Sequence, residues 1–372
     1  MNKHFPCGHW HKKSEGGYTK ITTMILGDWW QQALGLYEDY IYFSLMSEDN
    51  KVLYYIRYKI NDRYWELINI LEFPKVVSGF TVTETHGLQG CVEARSNFAV
   101  FLNEIYMDKE DEKGYLISVR FTHSENEYTT IPYVSTDFRG SEKALVVYDN
   151  GTILAAFLAS NKPNVLKSID YGATWTLIVL DTIDDGHLKL AHDVVNDIVY
   201  AVAKYGVYKS VNSGSTWTKT ASGNFGYFDV CFKGGVLYIV GGSSGTDHTM
   251  WKYINGVFSS SMDVPYTYFD PNLISTSTGL ILYEPSYREF GIPYKPFLLT
   301  SLDAATWTAR SDLSIYTMPY PYNNSISSFN NRVAFTSCGM GEDSINNPLS
   351  LMYSDNSWDW TMIRLPFEGI LH

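Results

Sequence analysis

Four kinds of side chain in this sequence could do chemistry, and they fall in short segments. Carboxylates occur in two long polar stretches, Glu284 and Glu289 in YEPSYREF and Glu342 and Asp343 in GMGED. Two acids at catalytic distance protonate a leaving oxygen and activate water in glycoside cleavage, though nothing in the sequence pairs these. Aromatics stand beside polar groups in DWWQQ (Trp29, Trp30), AHD (His192, Asp193), YFD (Tyr227, Asp229), a second YFD (Tyr268, Asp270) and PYPYNN (Tyr322). A ring can stack on the apolar face of a sugar while its polar neighbour takes hydroxyls. Nine arginines are present, and Arg95, Arg120, Arg288 and Arg332 are candidates to fork onto a carboxylate; Arg288 joins the aromatics as a ligand-binding candidate. His4, Cys7, His9 and His11 are zinc-ligand types, but their spacing matches no zinc site, and no metal or cofactor is expected.

The totals exclude several classes. A net charge of −12 with no basic stripe speaks against nucleic-acid binding. No run approaches the roughly 18 apolar residues of a membrane span, and the start MNKHFPCGHWHKK has no export-type apolar core, so a soluble chain without a signal peptide is expected, cytoplasmic when synthesised. Cys7, Cys91, Cys231 and Cys338 are far apart, three in strand-like runs, and are read as free thiols. With 29 Tyr, 19 Phe and 10 Trp, the composition favours pleated sheet.

The elements that position these residues repeat. SIDYGATW (168–175) recurs as SVNSGSTW (210–217), SLDAATW (301–307) and SDNSWDW (354–360), each between two short extended runs. Two weaker relatives, YKINDRYW (58–65) and KYINGVF (252–258), keep only a turn followed by an aromatic, and some 20 to 30 residues before most of these hairpins lies a smaller turn, seven in all: Glu38-Asp39, Ser96-Asn97, Asp149-Asn150-Gly151, Asn196-Asp197, Gly234-Gly235, Thr278-Gly279 and Asn330-Asn331. The spacing is that of four-stranded propeller blades. The expected fold is all-β: a single seven-bladed β-propeller over 27–372, with blades near 27–75, 76–132, 133–180, 181–222, 223–265, 266–312 and 313–366. An N-terminal arm (1–26) carries an extra strand at 19–26 that closes the ring or pairs with a neighbour.

Ser-x-Asp-x-Gly-x-Thr-Trp resembles the Asp-box, or BNR repeat, of the β-propellers that include sialidases. Ser168, Asp170, Gly172, Thr174 and Trp175 match fully; Ser210, Gly214, Thr216 and Trp217 match with Asn212 in the Asp place. Ser301, Asp303 and Trp307, and Ser354, Asn356 and Trp360, are shorter copies without the glycine. The resemblance implies structural hairpins opposite the active face. Residue types agree: Asp or Asn bonds the backbone two residues on, Gly accepts φ > 0, and Trp packs between blades. It also implies an Arg-Ile-Pro clamp, where this chain has Thr130-Ile131-Pro132, and an acid in the loop where it has ASNKPN (159–164). Both positions lack the functional residue.

These absences point to a non-enzymatic interaction platform, a virion- or tail-associated phage protein that binds a host-surface glycan or another virion subunit as partner. The alternatives are a glycoside hydrolase or lyase using loop carboxylates, and a cellular assembly factor like the Asp-box propellers that help build photosystem II.

Overall fold

The structure is a computed structural model that describes residues 19–21, 30–46, 52–72, 75–77, 80–82, 90–95, 98–106, 114–122, 126–135, 144–159, 161–182, 187–242, 248–264, 272–284, 297–309, 326–337, 350–356, 359 and 361–364. The alternating, aromatic-rich runs form strands throughout. The first sheet has five: β1 (Thr19–Ile21), β2 (Trp30–Tyr37), β3 (Tyr40–Met46), β4 (Val52–Lys59) and β5 (Tyr64–Glu72), in the order β1-β5-β4-β3-β2. A two-stranded hairpin, β6 (Lys75–Val77) and β7 (Phe80–Val82), follows it.

Six four-stranded antiparallel sheets come next. They are β8 (Gly90–Arg95), β9 (Phe98–Tyr106), β10 (Gly114–Thr122) and β11 (Asn126–Ser135); β12 (Leu145–Val147), β13 (Ile153–Ala159), β14 (Lys162–Ser168) and β15 (Thr176–Val179); and β16 (Leu188–Asp193), β17 (Ile198–Ala203), β18 (Gly206–Ser210) and β19 (Thr218–Ser222). The last three are β20 (Tyr227–Lys233), β21 (Val236–Gly242), β22 (His248–Ile254) and β23 (Val257–Val264); β24 (Asn272–Ser275), β25 (Leu280–Glu284), β26 (Phe297–Ser301) and β27 (Thr308–Ala309); and β28 (Ile326–Phe329), β29 (Arg332–Ser337), β30 (Ser350–Ser354) and β31 (Thr361–Arg364). Among the described residues four-stranded blades thus number six rather than the expected seven. The first sheet departs because Thr19, Lys20 and Ile21 pair with Leu67, Glu66 and Trp65 on its outer edge.

The first strand of each sheet touches the first strand of the next, and β28 returns to β2. Apolar side chains fill the gaps between sheets: Ala334 of the last packs with Leu34, Ile41 and Phe43 of the first. The Ser327 hydroxyl accepts the Leu36 amide at 3.1 Å, and Arg332 reaches the Glu38 carbonyl and Asp39. The radial array leaves the sheets with only short, protected edges. Cys91 and Cys231 are buried free thiols within this packing, and burial pushes the Cys91 thiol well up, so it is unreactive.

The repeated turns are hydrogen-bonded staples. Ser168 Oγ accepts the Gly172 amide at 2.8 Å, Asp170 Oδ1 accepts that of Thr174 at 2.8 Å, and Trp175 Nε1 donates to the Gly172 carbonyl at 2.9 Å. Ser210, Asn212, Gly214, Thr216 and Trp217 repeat the pattern at 2.9, 2.9 and 3.1 Å. Gly214 has φ 77°, and a Cβ there would lie 2.4 Å from Leu154 of the preceding sheet. In the third copy Ser301 accepts from Ala304 and Asp303 from Thr306, both at 2.9 Å. That turn is one residue shorter, and Trp307 Nε1 finds no acceptor among the described residues. Ser354 and Asn356 hold the fourth turn, while Trp360 lies outside the described residues.

Candidate functional site at the blade entrances

Antiparallel order fixes two faces. The turns after each first strand, such as Glu38-Asp39 and Asn330-Asn331, share one face with the stapled turns. The opposite face carries the heads of the first strands and the connections from second to third strands. β2 begins at Trp30 and β20 at Tyr227. Trp29, Tyr268, Asp270, Tyr322 and Arg288 lie outside the described residues, as do His4, Cys7, His9, His11, Glu289, Glu342 and Asp343.

His192 and Asp193 were expected at an entrance, and the structure places them at the opposite end. They close β16 beside the Asn196-Asp197 turn, because β16 begins four residues before His192, at Leu188. Asp193 caps that turn, accepting from the Asn196 amide at 3.3 Å and its side chain at 2.8 Å. The aromatic-next-to-Asp pattern misled here, since it reads alike at either end of a strand.

His192 Nε2 lies 3.4 Å from Asp197 Oδ1, and its ring centroid is 4.9 Å from that of Tyr148. Burial pulls its pKa below the ordinary value, Arg95 pulls the same way, and Asp197 opposes. The unfolded chain therefore binds more protons than the folded one below about pH 6.5, and stability falls as pH falls through the folded pKa. Urea midpoints should decline on acidification through this window for the native chain, and decline less for His192→Gln. Parallel curves would remove His192 as the cause.

Four groups build the entrance face between the fourth and sixth sheets. Asp229, two residues into β20, is 2% exposed; its Oδ2 accepts the Leu273 amide at 2.6 Å and its Oδ1 faces Lys189 Nζ at 3.6 Å. One carboxylate thereby joins β16, β20 and β24. Asn272, 6% exposed, heads β24 and pairs with Tyr283 of β25. Glu284 is the next residue, at the end of β25 opposite Phe297. On the neighbouring blade Asp181 Oδ2 accepts from the Tyr208 hydroxyl at 2.6 Å and Lys219 at 3.0 Å. The Tyr208 bond, reinforced by Lys219, holds Asp181 down at about 2 against the opposing effect of burial, so it stays ionised at neutral pH.

Proton donation thus cannot come from Asp181, and Asp229 is enclosed. Glu284 ends β25 on this face. Lys189 and the Asp181–Tyr208 bond were missed in the sequence, because partners 27 to 44 residues apart give no local signal, and Asn272 carried no motif to single it out.

Among the described residues the arginines do not converge into a clamp. Arg57 pairs with Glu66, Arg95 with Glu93, and Arg332 with Asp39 and Asp355, all toward the stapled face. Arg120 lies in β10 opposite Val100, near the start of β9 and so toward the same face. Thr130-Ile131-Pro132 falls within β11, the outer strand of its sheet, with Thr130 opposite Ile117. The chain from Ala159 to Asn164 does form a tip on the entrance face, and it has no carboxylate.

The architecture and its comparisons agree. No family model and no curated protein matches the chain. Solved structures do match: a GH74 enzyme of Niastella koreensis, with TM-score 0.56 and 14% identity, covers 92% of this chain and 55% of its own. The fold is a β-propeller. A puromycin-hydrolyzing peptidase of Mycobacterium tuberculosis matches this propeller at TM-score 0.53 and 10% identity, over 98% of this chain and 56% of that one. A polysaccharide lyase matches at 0.50 and 12%, over 91% and 90%. The propeller spans about half the length of the GH74 enzyme and of the peptidase. These neighbours are enzymes, a glycoside hydrolase and a lyase among them, and they correct the non-enzymatic, virion- and tail-associated reading, which nothing in the fold supports. No helix among the described residues is long and apolar enough to cross a membrane.

Proposed function

We propose that this propeller acts on a polysaccharide, with its site on the entrance face where Asp229 draws three blade heads together and Glu284 stands at the rim. The joint of Lys189, Asp229 and the Leu273 amide carries the reading, because a cleaving site needs its rim held rigid and this face has a buried tie for that purpose. In hydrolysis Glu284 gives a proton to the glycosidic oxygen as the bond from that oxygen to the anomeric carbon breaks. Water, deprotonated by a second carboxylate, forms the new bond at that carbon. The partner is thus a glycan, stacked on Trp30 and Tyr227, with Trp29, Tyr268, Asp270, Tyr322 and Arg288 as further contacts.

The stapled turns are read in the same proposal as Asp-box hairpins of the sialidase-like kind. The five-stranded sheet is read as the first blade of a seven-bladed ring, which the contact of β28 with β2 supports. Affinity electrophoresis in gels containing soluble polysaccharides tests the binding face. Native protein should be retarded by at least one polymer, and Trp30→Ala and Tyr227→Ala should each weaken retardation about tenfold, the loss of one well-placed ring. Unchanged retardation of both folded variants would move the site elsewhere.

A further inference from the structure

We propose that the stapled face of the four sheets from β12 to β27 is an interface between two copies of this chain. Each of these sheets places two turns on that face, and all eight turns are described. The staple has a geometric consequence there. Its Ser and its Asp or Asn aim their oxygens at backbone amides of the turn, and the residue between them is left facing solvent. In three copies that residue is Ile169, Val211 and Leu302. The turn between β16 and β17 adds Val194 and Val195, and β23 begins with Val257 just after its turn. These six side chains belong to residues 64% to 91% exposed.

Neighbouring turns abut, so the six share one arc of surface. Lys167 donates to Ser215 in the stapled turn of the next sheet at 2.6 Å, and Ser213 of that turn donates to Asp197 in the β16–β17 turn at 3.2 Å. Further round, Lys233 donates to the Thr276 carbonyl, and Lys252 donates to the Asp303 carbonyl beside Leu302 at 2.7 Å. Burying one aliphatic side chain removes about 60–120 Å² of apolar surface from water, so six that are about three-quarters exposed offer about 300–500 Å². Exposed apolar patches of that size mark sites of association. An interface is about 57% non-polar, which makes the whole footprint about 500–900 Å² per copy. A stable complex buries about 800 Å² on each partner.

Charge selects a second copy as the occupant. The chain carries −12 overall, so two copies repel in most orientations. In and beside these eight turns, however, Lys167, Lys209, Lys233 and Lys252 are interspersed with Asp149, Asp170, Asp197 and Asp303, while Asp193 is buried. A face with both signs in equal number can meet its own image without that repulsion, and a two-fold dimer buries the same patch on both copies. The entrance faces then point away from one another and stay open. The association itself needs nothing from the polysaccharide reading.

The fourth stapled turn supplies the test. Asp355 stands there in the place of Ile169, Val211 and Leu302, with Ser354 and Asn356 still bonded around it, so the turn accepts an aspartate. Sedimentation velocity of the full chain from about 1 to 100 μM is compared with that of Ile169→Asp, Val211→Asp and Leu302→Asp. Val179→Asp is the control, an exposed aliphatic at the far end of β15. The native chain should pass from monomer to dimer within this range. Each turn variant should keep the native urea midpoint, measured where the native chain is monomeric, and raise the dissociation constant at least about tenfold, since each new charge enters a two-fold interface twice. Val179→Asp should associate as the native chain does. A native chain that stays monomeric throughout, or that forms an open series of larger species, overturns the proposal. So does association that survives in every folded turn variant, or that Val179→Asp weakens equally.

Discussion

Replacing Asp229 with alanine is expected to remove about 3–5 kcal/mol of stability, read as a fall in the urea midpoint at pH 7. The size follows from what remains behind. Lys189, its side chain 15% exposed, keeps a charge with its partner gone, and the Leu273 amide loses its acceptor at 2.6 Å. Asp229→Asn should lose less, because an amide oxygen can still accept from Leu273 while the ion pair alone is removed. A double change, Lys189→Met with Asp229→Leu, should recover much of the loss, since apolar packing can substitute for a buried pair. A loss below about 1 kcal/mol in Asp229→Ala would deny that this carboxylate ties the blades together.

What could be read from the sequence was whatever is local. The stapled turns are legible because Ser168, Asp170, Gly172 and Trp175 satisfy one another within eight residues, and the same holds for Ser210 to Trp217. Small turns such as Gly234-Gly235 and Asn330-Asn331 are legible for the same reason, since positive φ selects their residue types. Blade membership of β1 was not legible, as three residues pair with an edge nearly 50 positions away. The site was legible only in part. β20 begins at Tyr227, with Asp229 two residues on, whereas His192 and Asp193 close β16 at its other end, because an aromatic beside an Asp reads alike at either end of a strand. Asp229 was noticed as a sugar contact, and the fold gives it a structural partner in Lys189 and in the Leu273 amide. The functional reading failed for a related reason. Missing residues at two expected positions were taken as missing chemistry, although one of those positions, Thr130-Ile131-Pro132, lies in an outer strand.

Glu284→Gln carries the second large effect, and it bears on catalysis alone. The substitution keeps size and hydrogen-bonding capacity but cannot release a proton, and removal of a positioned acid slows cleavage about 10²–10⁴-fold. Glu284 is the residue beyond the Asn272–Tyr283 pair, at the last position of β25, so the change should leave the sheet and the urea midpoint as they were. Asp181 cannot stand in, since Tyr208 and Lys219 keep it ionised. The decisive measurement is therefore the rate of reducing-end release from a panel of polysaccharides by the native chain and by folded Glu284→Gln, side by side. Release by the native chain and its near-complete loss in the variant is the result expected. Equal release by both, or release by neither, would contradict a polysaccharide-cleaving site at this rim.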